Sequence, residues 1–219
     1  MLTLQPHEDL LAGWEPLPHG ARARWATEQD IPTVFKNLEQ LAAHCGAASS
    51  VQVTLEEFRR DFVDRKFEAL VAMAAGGTNS NMESALENSG GIGSSAGGVG
   101  NGASLPDGSP LTAAVIGQAI FFEGYSSWAG RYMHIEDLFV VESQRGKGFG
   151  TAIFGLLATL AEARGYRRVS WESMKDDARA NEFYSGAHMM AERVDTQLLW
   201  RWKEDGITRM AQNGKAPFV

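Results

Sequence analysis

Residues 131–151, RYMHIEDLFVVESQRGKGFGT, constrain this chain more than any other stretch. Met133, Ile135, Leu138, Phe139, Val140 and Val141 form an apolar, partly β-branched run that predicts a strand, broken only by Glu136 and Asp137. Gly146, Gly148 and Gly150 follow at every second position, with Arg145 and Lys147 supplying positive charge among them. Glycines let backbone N–H groups converge on an anion, and a helix starting here aims the positive end of its dipole at the same point. The stretch therefore predicts an α/β unit with a phosphate-sized cradle beside a pair of carboxylates.

Two familiar phosphate motifs do not account for the glycines. A Walker loop needs a glycine, four intervening residues and then Gly-Lys-Ser/Thr, and a dinucleotide fingerprint needs GxGxxG in an early βαβ unit with an acid about 20 residues on. This chain has GxGxG, placed late. Three glycines by themselves also suit a tight strand-to-helix connection that binds nothing.

Further residues decide the matter through a resemblance. The run VVESQRGKGFGTAI resembles the pyrophosphate loop of the GCN5-related N-acetyltransferase (GNAT) superfamily, matched by Arg145, Gly148 and Gly150. NEFYSGA at 181–187 resembles the superfamily's Asn-Ala-Phe-Tyr helix, with Ala180, Phe183 and Tyr184 in register. YSSWAGRYMHIEDLFV at 125–140 is similar to the strand pair of the diamine (spermidine/spermine) and thialysine acetyltransferases.

That resemblance implies a single-domain GNAT fold: an α/β sheet, mixed but mostly antiparallel, splayed between strands 4 and 5 and flanked by helices. It implies acetyl-CoA as co-substrate, with the backbone of Leu138, Phe139 and Val140 pairing the pantetheine arm like an added strand. One of those N–H groups would stabilise the thioester oxyanion. The pyrophosphate would lie on Arg145, Gly146, Lys147, Gly148, Phe149, Gly150 and Thr151, with Asp177 where the family has an asparagine facing CoA. Tyr184 would protonate the departing thiolate. Glu136 either takes the proton of the amine, if burial or Asp137 raises its pKa, or only attracts the cation. Tyr125, Trp128, Glu136, Asp137, Glu172 and Glu192 would line the amine site. Ser126 replaces an aspartate of the spermidine/spermine enzymes, and His44-Cys45 stand where many have Tyr-Glu, which favours a shorter or less charged amine. His134, where the family commonly has an aromatic, reads as packing.

The reaction implied is acetylation of a primary amine on a diamine, polyamine, thialysine or ornithine-like molecule. The alternatives are acetylation of a protein or peptide amine and, in another class, an acyl-CoA sensor without turnover. The family also implies a homodimer.

Charge and cysteine content agree with this reading. Twenty basic against 27 acidic residues give a net charge of −7, which disfavours nucleic acid and favours cationic small molecules. A single cysteine, Cys45, excludes an internal disulfide and fits a reducing, cytoplasmic setting, with the nucleus also open. No apolar run is long enough to span a bilayer, no secretory leader is expected, and no Cys/His spacing suggests a metal.

In chain order, residues 1–20 read as an irregular N-terminal arm and 21–212 as the acetyltransferase domain, with 213–219 as a tail. A strand at 21–27 precedes a helix carrying Ile31, Val34, Phe35, Leu38, Leu41 and Ala42 on one face, capped by either Thr27 or Asp30. Thr54 and Glu57 form a capping box for the next helix. Strands at 69–74 and 113–122 are expected to pair across residues 76–110. That Gly/Ser-rich insertion has no aromatic, Lys or Arg and is expected to be flexible. A helix at 152–166 stops at Gly165, and a strand at 167–173 and a helix at 177–184 follow. The end of the chain is expected to form strands near 187–193 and 196–202, then a terminal helix.

Overall fold

A computed structural model describes residues 15–74, 114–197 and 199–213. The expected insertion at 76–110, the arm before residue 15 and the tail after 213 lie outside the described residues. The described residues fall into two compact units, Met1–Asp177 and Ala178–Val219.

The first unit is built on one six-stranded sheet in sequence order: β1 (Glu15–Pro16), β2 (Arg22–Trp25), β3 (Glu68–Met73), β4 (Val115–Ser126), β5 (Gly130–Val140) and β6 (Val169–Trp171). Every neighbouring pair is antiparallel except β5 with β6, which is parallel. The strands on either side of the insertion pair directly, Glu68 opposite Phe121 and Ala72 opposite Gly117, as expected. Residues 15–20 differ from the irregular arm that the sequence suggests. Glu15 and Pro16 add a short edge strand to β2, and Pro18–Gly20 make a 3-10 turn.

Helices α1 (Ile31–His44) and α2 (Leu55–Val63) cover one face of the sheet. Ile31, Val34, Phe35 and Phe58 meet Ala69, Val71, Met73 and Ile120 there in a continuous core. Thr27 opens a 3-10 turn whose capping box closes on Asp30, and Asp30 in turn occupies the N-cap of α1. Asp30 thus holds the N-cap position of α1 without a side-chain bond to that helix, its carboxylate accepting from Arg24 and Thr27 instead. The Thr54–Glu57 box caps α2, with the Thr54 hydroxyl 3.2 Å from the Glu57 N–H it accepts. One polar pair interrupts the core: Asn37 donates to Gln118 at 2.9 Å, and Gln118 donates to the Val34 carbonyl at 2.9 Å.

Helix α3 (Phe149–Ala163) packs on the opposite face through Phe149, Ile153, Phe154, Leu157 and Leu160. Its close approach explains Gly117, where a Cβ would lie 3.2 Å from Ile153 Cδ1 and 3.1 Å from the Phe139 carbonyl oxygen. The helix begins three residues earlier than its apolar period suggests, because Phe149 is already buried. Past its end Gly165 adopts φ +68, the stop that was expected.

The second unit holds α4 (Ala178–Ser185), a 3-10 turn at Ala187–Met189 and α5 (Glu204–Asn213). The terminal strands expected near 187–193 and 196–202 are absent among the described residues. Residues 187–189 turn instead, and Met190, Leu199, Trp200 and Trp202 stand exposed. Apolar residues specify a strand only where an edge receives them, and these side chains remain largely exposed.

Candidate active site

The site begins with an irregularity in the β4–β5 ladder. Ile120 pairs with Asp137, yet its neighbour Phe121 pairs with Ile135, so Glu136 is an extra residue on β5, a β-bulge. The bulge exchanges the faces of the strand. Gln118 and Ile120 face α1, whereas Gly117 and Phe121 face α3. Cross-strand partners share a face, so Ile135 lies on the α3 side and Asp137 on the α1 side.

The two acids are thereby separated. Glu136, read from sequence as the catalytic base, is exposed and sits 3.5 Å from His134 Nε2. Asp137, read only as a substrate ligand, is largely covered. Burial first, and then the charge of Glu136, pushes its carboxyl up to about 6. The condition set for Glu136 is therefore met at Asp137. His134 packs its ring 4.9 Å from that of Phe122, as the packing reading expects.

Asp137 points toward the end of α1, where His44 and Cys45 stand. His44 Nε2 lies 3.8 Å from Asp177 Oδ2, so Asp177, expected to face the cofactor, stands beside His44 in this cluster. The Cys45 thiol is pushed up by burial and then by the charges of Asp177, Asp137 and Asp176. Three carboxylates thus act electrostatically on one point beside α1. Asp176 was not singled out in the sequence, although DD at 176–177 was its visible signal.

Beyond the bulge the strand has one open edge. The ladder to β6 runs only from Met133 opposite Val169 to Ile135 opposite Trp171. Leu138, Phe139 and Val140 continue past it, paired to β4 on the other side alone. With the short edge strand β1 left out of the count, β5 and β6 are the fourth and fifth strands of the expected fold, and the splay expected between those two falls here. The chain then enters the glycine loop at once, through a 3-10 turn at Glu142–Gln144.

Gly146 and Gly148 adopt φ +77 and +85, conformations that L side chains rarely take. Gly148 is the N-cap of α3, so the N–H groups of Phe149, Gly150 and Thr151 have no acceptor within the helix. Arg145 folds back, its Nε donating to the Val140 carbonyl at 2.9 Å, and braces the loop on the strand end. Lys147 Nζ reaches Gln144 Oε1 at 3.0 Å. An open strand edge leading into unpaired N–H groups and two left-handed glycines fits a chain of amides ending in phosphates.

The β4–β5 hairpin tip carries Tyr125 and Trp128, 77% and 93% exposed. Ser126 Oγ accepts from the N–H groups of Trp128 and Ala129 at 3.3 and 3.2 Å, so the residue that replaces the aspartate caps the turn. Glu172 is exposed just after β6. Tyr184 and Glu192 belong to the second unit. Tyr184 is half-buried on α4 with its ring 5.3 Å from Phe183, and Glu192 is exposed. No group of metal-ligating side chains occurs among the described residues, and none of the described helices is long and apolar enough to cross a membrane.

Comparison with known proteins bears on the same stretches. Residues 107–188 match the sequence model of the Acetyltransferase (GNAT) family. The chain is 32% identical over 68 residues to the thialysine N-epsilon-acetyltransferase of Caenorhabditis elegans, covering 31% of this chain and 42% of that protein. It is 30% identical over 77 residues to the Bos taurus enzyme of the same name, covering 35% and 45%. It is 31% identical over 90 residues to the L-ornithine N5-acetyltransferase NATA1 of Arabidopsis thaliana, covering 41% and 36%. These matches span about half or less of each relative's length. Among solved structures, an integron cassette protein from V. cholerae superposes with a TM-score of 0.55 at 15% identity, covering 88% of this chain and 98% of that one. An aminoglycoside acetyltransferase from a soil metagenome gives 0.55 at 14%, covering 84% and 97%. These two structures establish the fold.

Proposed function

We propose that this chain, whose residues 107–188 match the Acetyltransferase (GNAT) family model, is an acetyl-CoA-dependent N-acetyltransferase acting on a small primary amine of the diamine, thialysine or ornithine type. The observation that carries the reading is the bulge at Glu136, which turns Asp137 to the α1 side immediately before the open edge of residues 138–140.

Acetyl-CoA, when bound, supplies the thioester whose acetyl group passes to the amine nitrogen as the C–N bond forms and the C–S bond breaks. The residues to hold it are Leu138, Phe139 and Val140 by their backbone and the loop from Arg145 to Thr151 by its N–H groups. Aliphatic ammonium groups have pKa values near 10, so a base must remove a proton before attack. We assign that role to Asp137, since a carboxyl near 6 accepts a proton at neutral pH better than an ordinary aspartate. Exposed Glu136, with Asp176 and Asp177, draws the cation in. Tyr184 is retained as proton donor to the thiolate, on the resemblance of its helix alone. The names of the relatives support an amino-acid amine, and Ser126 supports a short one. A homodimer and a cytoplasmic setting belong to this proposal on the same resemblance.

The test is CoA release by the purified chain with putrescine, 1,3-diaminopropane, spermidine, spermine, ornithine, lysine, thialysine and a basic peptide. Turnover is expected on short diamines or amino acids, with poor use of spermine. Binding of acetyl-CoA without turnover on any of them would overturn the assignment.

A further inference from the structure

One turn of the N-terminal segment touches Lys147 and Phe149, on either side of Gly148 in the glycine loop, though sequence places the two more than a hundred residues apart. His19 Nε2 lies 3.2 Å from the Lys147 carbonyl oxygen. The His19 ring meets that of Phe149 edge-on, with centroids 5.8 Å apart and planes at 63°. Pro18 Cγ would stand 3.7 Å from a Cβ placed on Gly148. Since a carbonyl only accepts, Nε2 carries the hydrogen, whatever the state of Nδ1.

The turn is held by its own backbone hydrogen bonds. His19 sits at φ 57, ψ 30, a region uncommon for residues other than glycine. It is fixed there by the Leu17 N–H donating to the Ala21 carbonyl at 2.8 Å and the Ala21 N–H donating to the Pro18 carbonyl at 3.2 Å, with Leu17 buried beneath. The loop it touches has left-handed glycines at 146 and 148 and so little side chain to fix its peptide planes. A trans peptide points its C=O and N–H in opposite directions. Holding the Lys147 carbonyl toward His19 therefore directs the Gly148 N–H away from the N-terminal turn.

We propose that His19 is a positioning residue for the cofactor: through the Lys147 carbonyl it sets the peptide plane that presents the Gly148 N–H to the pyrophosphate. This rests on the acetyl-CoA reading given above.

Calorimetric titration of CoA into the full chain, with the melting temperature recorded for each variant, tests it. His19→Ala should weaken CoA binding roughly three- to tenfold, the worth of one hydrogen bond, and leave kcat at saturating acetyl-CoA unchanged. His19→Gln, whose amide can donate from about the same reach, should recover a good part of the affinity. Wild-type affinity in His19→Ala would overturn the proposal. So would recovery of melting temperature without recovery of CoA affinity in His19→Gln, since the turn would then be structural only. Failure of the wild type itself to bind CoA would instead remove the cofactor site as a whole, and this proposal with it.

Discussion

Replacing Asp137 by Asn should make the protein more stable at alkaline pH and much less active. The carboxyl is raised from the ordinary aspartate value of 3.8 to about 6, by burial and then by Glu136. Each unit is worth about 1.4 kcal/mol between the two protonation states, so the charged form costs up to about 3 kcal/mol. Asp137 is not wholly covered, and solvent screening reduces this to roughly 1–2 kcal/mol. The folded chain binds this proton more tightly than the unfolded chain does. Stability is therefore lost as pH rises from about 4 to about 6, and the cost is complete above that range.

Asn cannot ionise and escapes the cost. Urea denaturation should show Asp137→Asn more stable than the parent by roughly 1–2 kcal/mol at pH 8, with the difference gone by about pH 4. If Asp137 is the base, kcat/KM should fall by roughly 10²–10⁴ and lose its acid limb near pH 6. Cys45, the single cysteine, reports independently. Asp137 is one of the charges that raise its thiol, so alkylation by iodoacetamide at pH 8 should quicken in the variant. Parallel pH–stability curves for parent and variant would refute the burial argument. An acid limb that persists in Asp137→Asn would refute the assignment of the base.

Tyr184→Phe should lower kcat and leave CoA affinity in calorimetry largely unchanged; equal loss in both would make the phenol a binding group. Ser126→Asp should preserve the hairpin, because a carboxylate can accept the same two N–H groups, and should shift kcat/KM from short amines toward spermidine. An unchanged ratio would show that position 126 does not face the amine. Asn37→Ala should cost about 1–3 kcal/mol in urea denaturation by leaving the buried Gln118 Oε1 without its donor.

Much of the fold was legible because local signals and long-range packing agree. The apolar period of α1, the Thr54–Glu57 box and the glycine at 165 each name an element that tertiary contacts then confirm. Asn37 was legible in principle: it falls three residues after Val34 on the buried face, where a polar residue needs a partner, and Gln118 interrupts an otherwise apolar strand. Other features depend on distant chain segments. Nothing local in PHG at 18–20 indicates that His19 meets Lys147, 128 residues away. The terminal strands expected near 187–193 and 196–202 do not form among the described residues, because apolar residues such as Leu199, Trp200 and Trp202 describe side-chain character, not the hydrogen-bonding partner a strand requires.

The different surroundings of Glu136 and Asp137 show why residue identity alone does not say which of two adjacent acids has the raised pKa. In an unbulged strand, Asp137 would fall on the face of Met133 and Ile135, beneath α3, and Glu136 would face α1. Inserting one unpaired residue reverses this from Asp137 onward. The cost is a broken step in the ladder at the point where β6 also departs, so neighbouring strands constrain that step least. The same backbone event thus decides that Asp137, not Glu136, takes the α1 side, where burial raises its pKa, immediately before the edge that β6 leaves unpaired. Two acids interrupting an apolar run are the sequence trace of such an event.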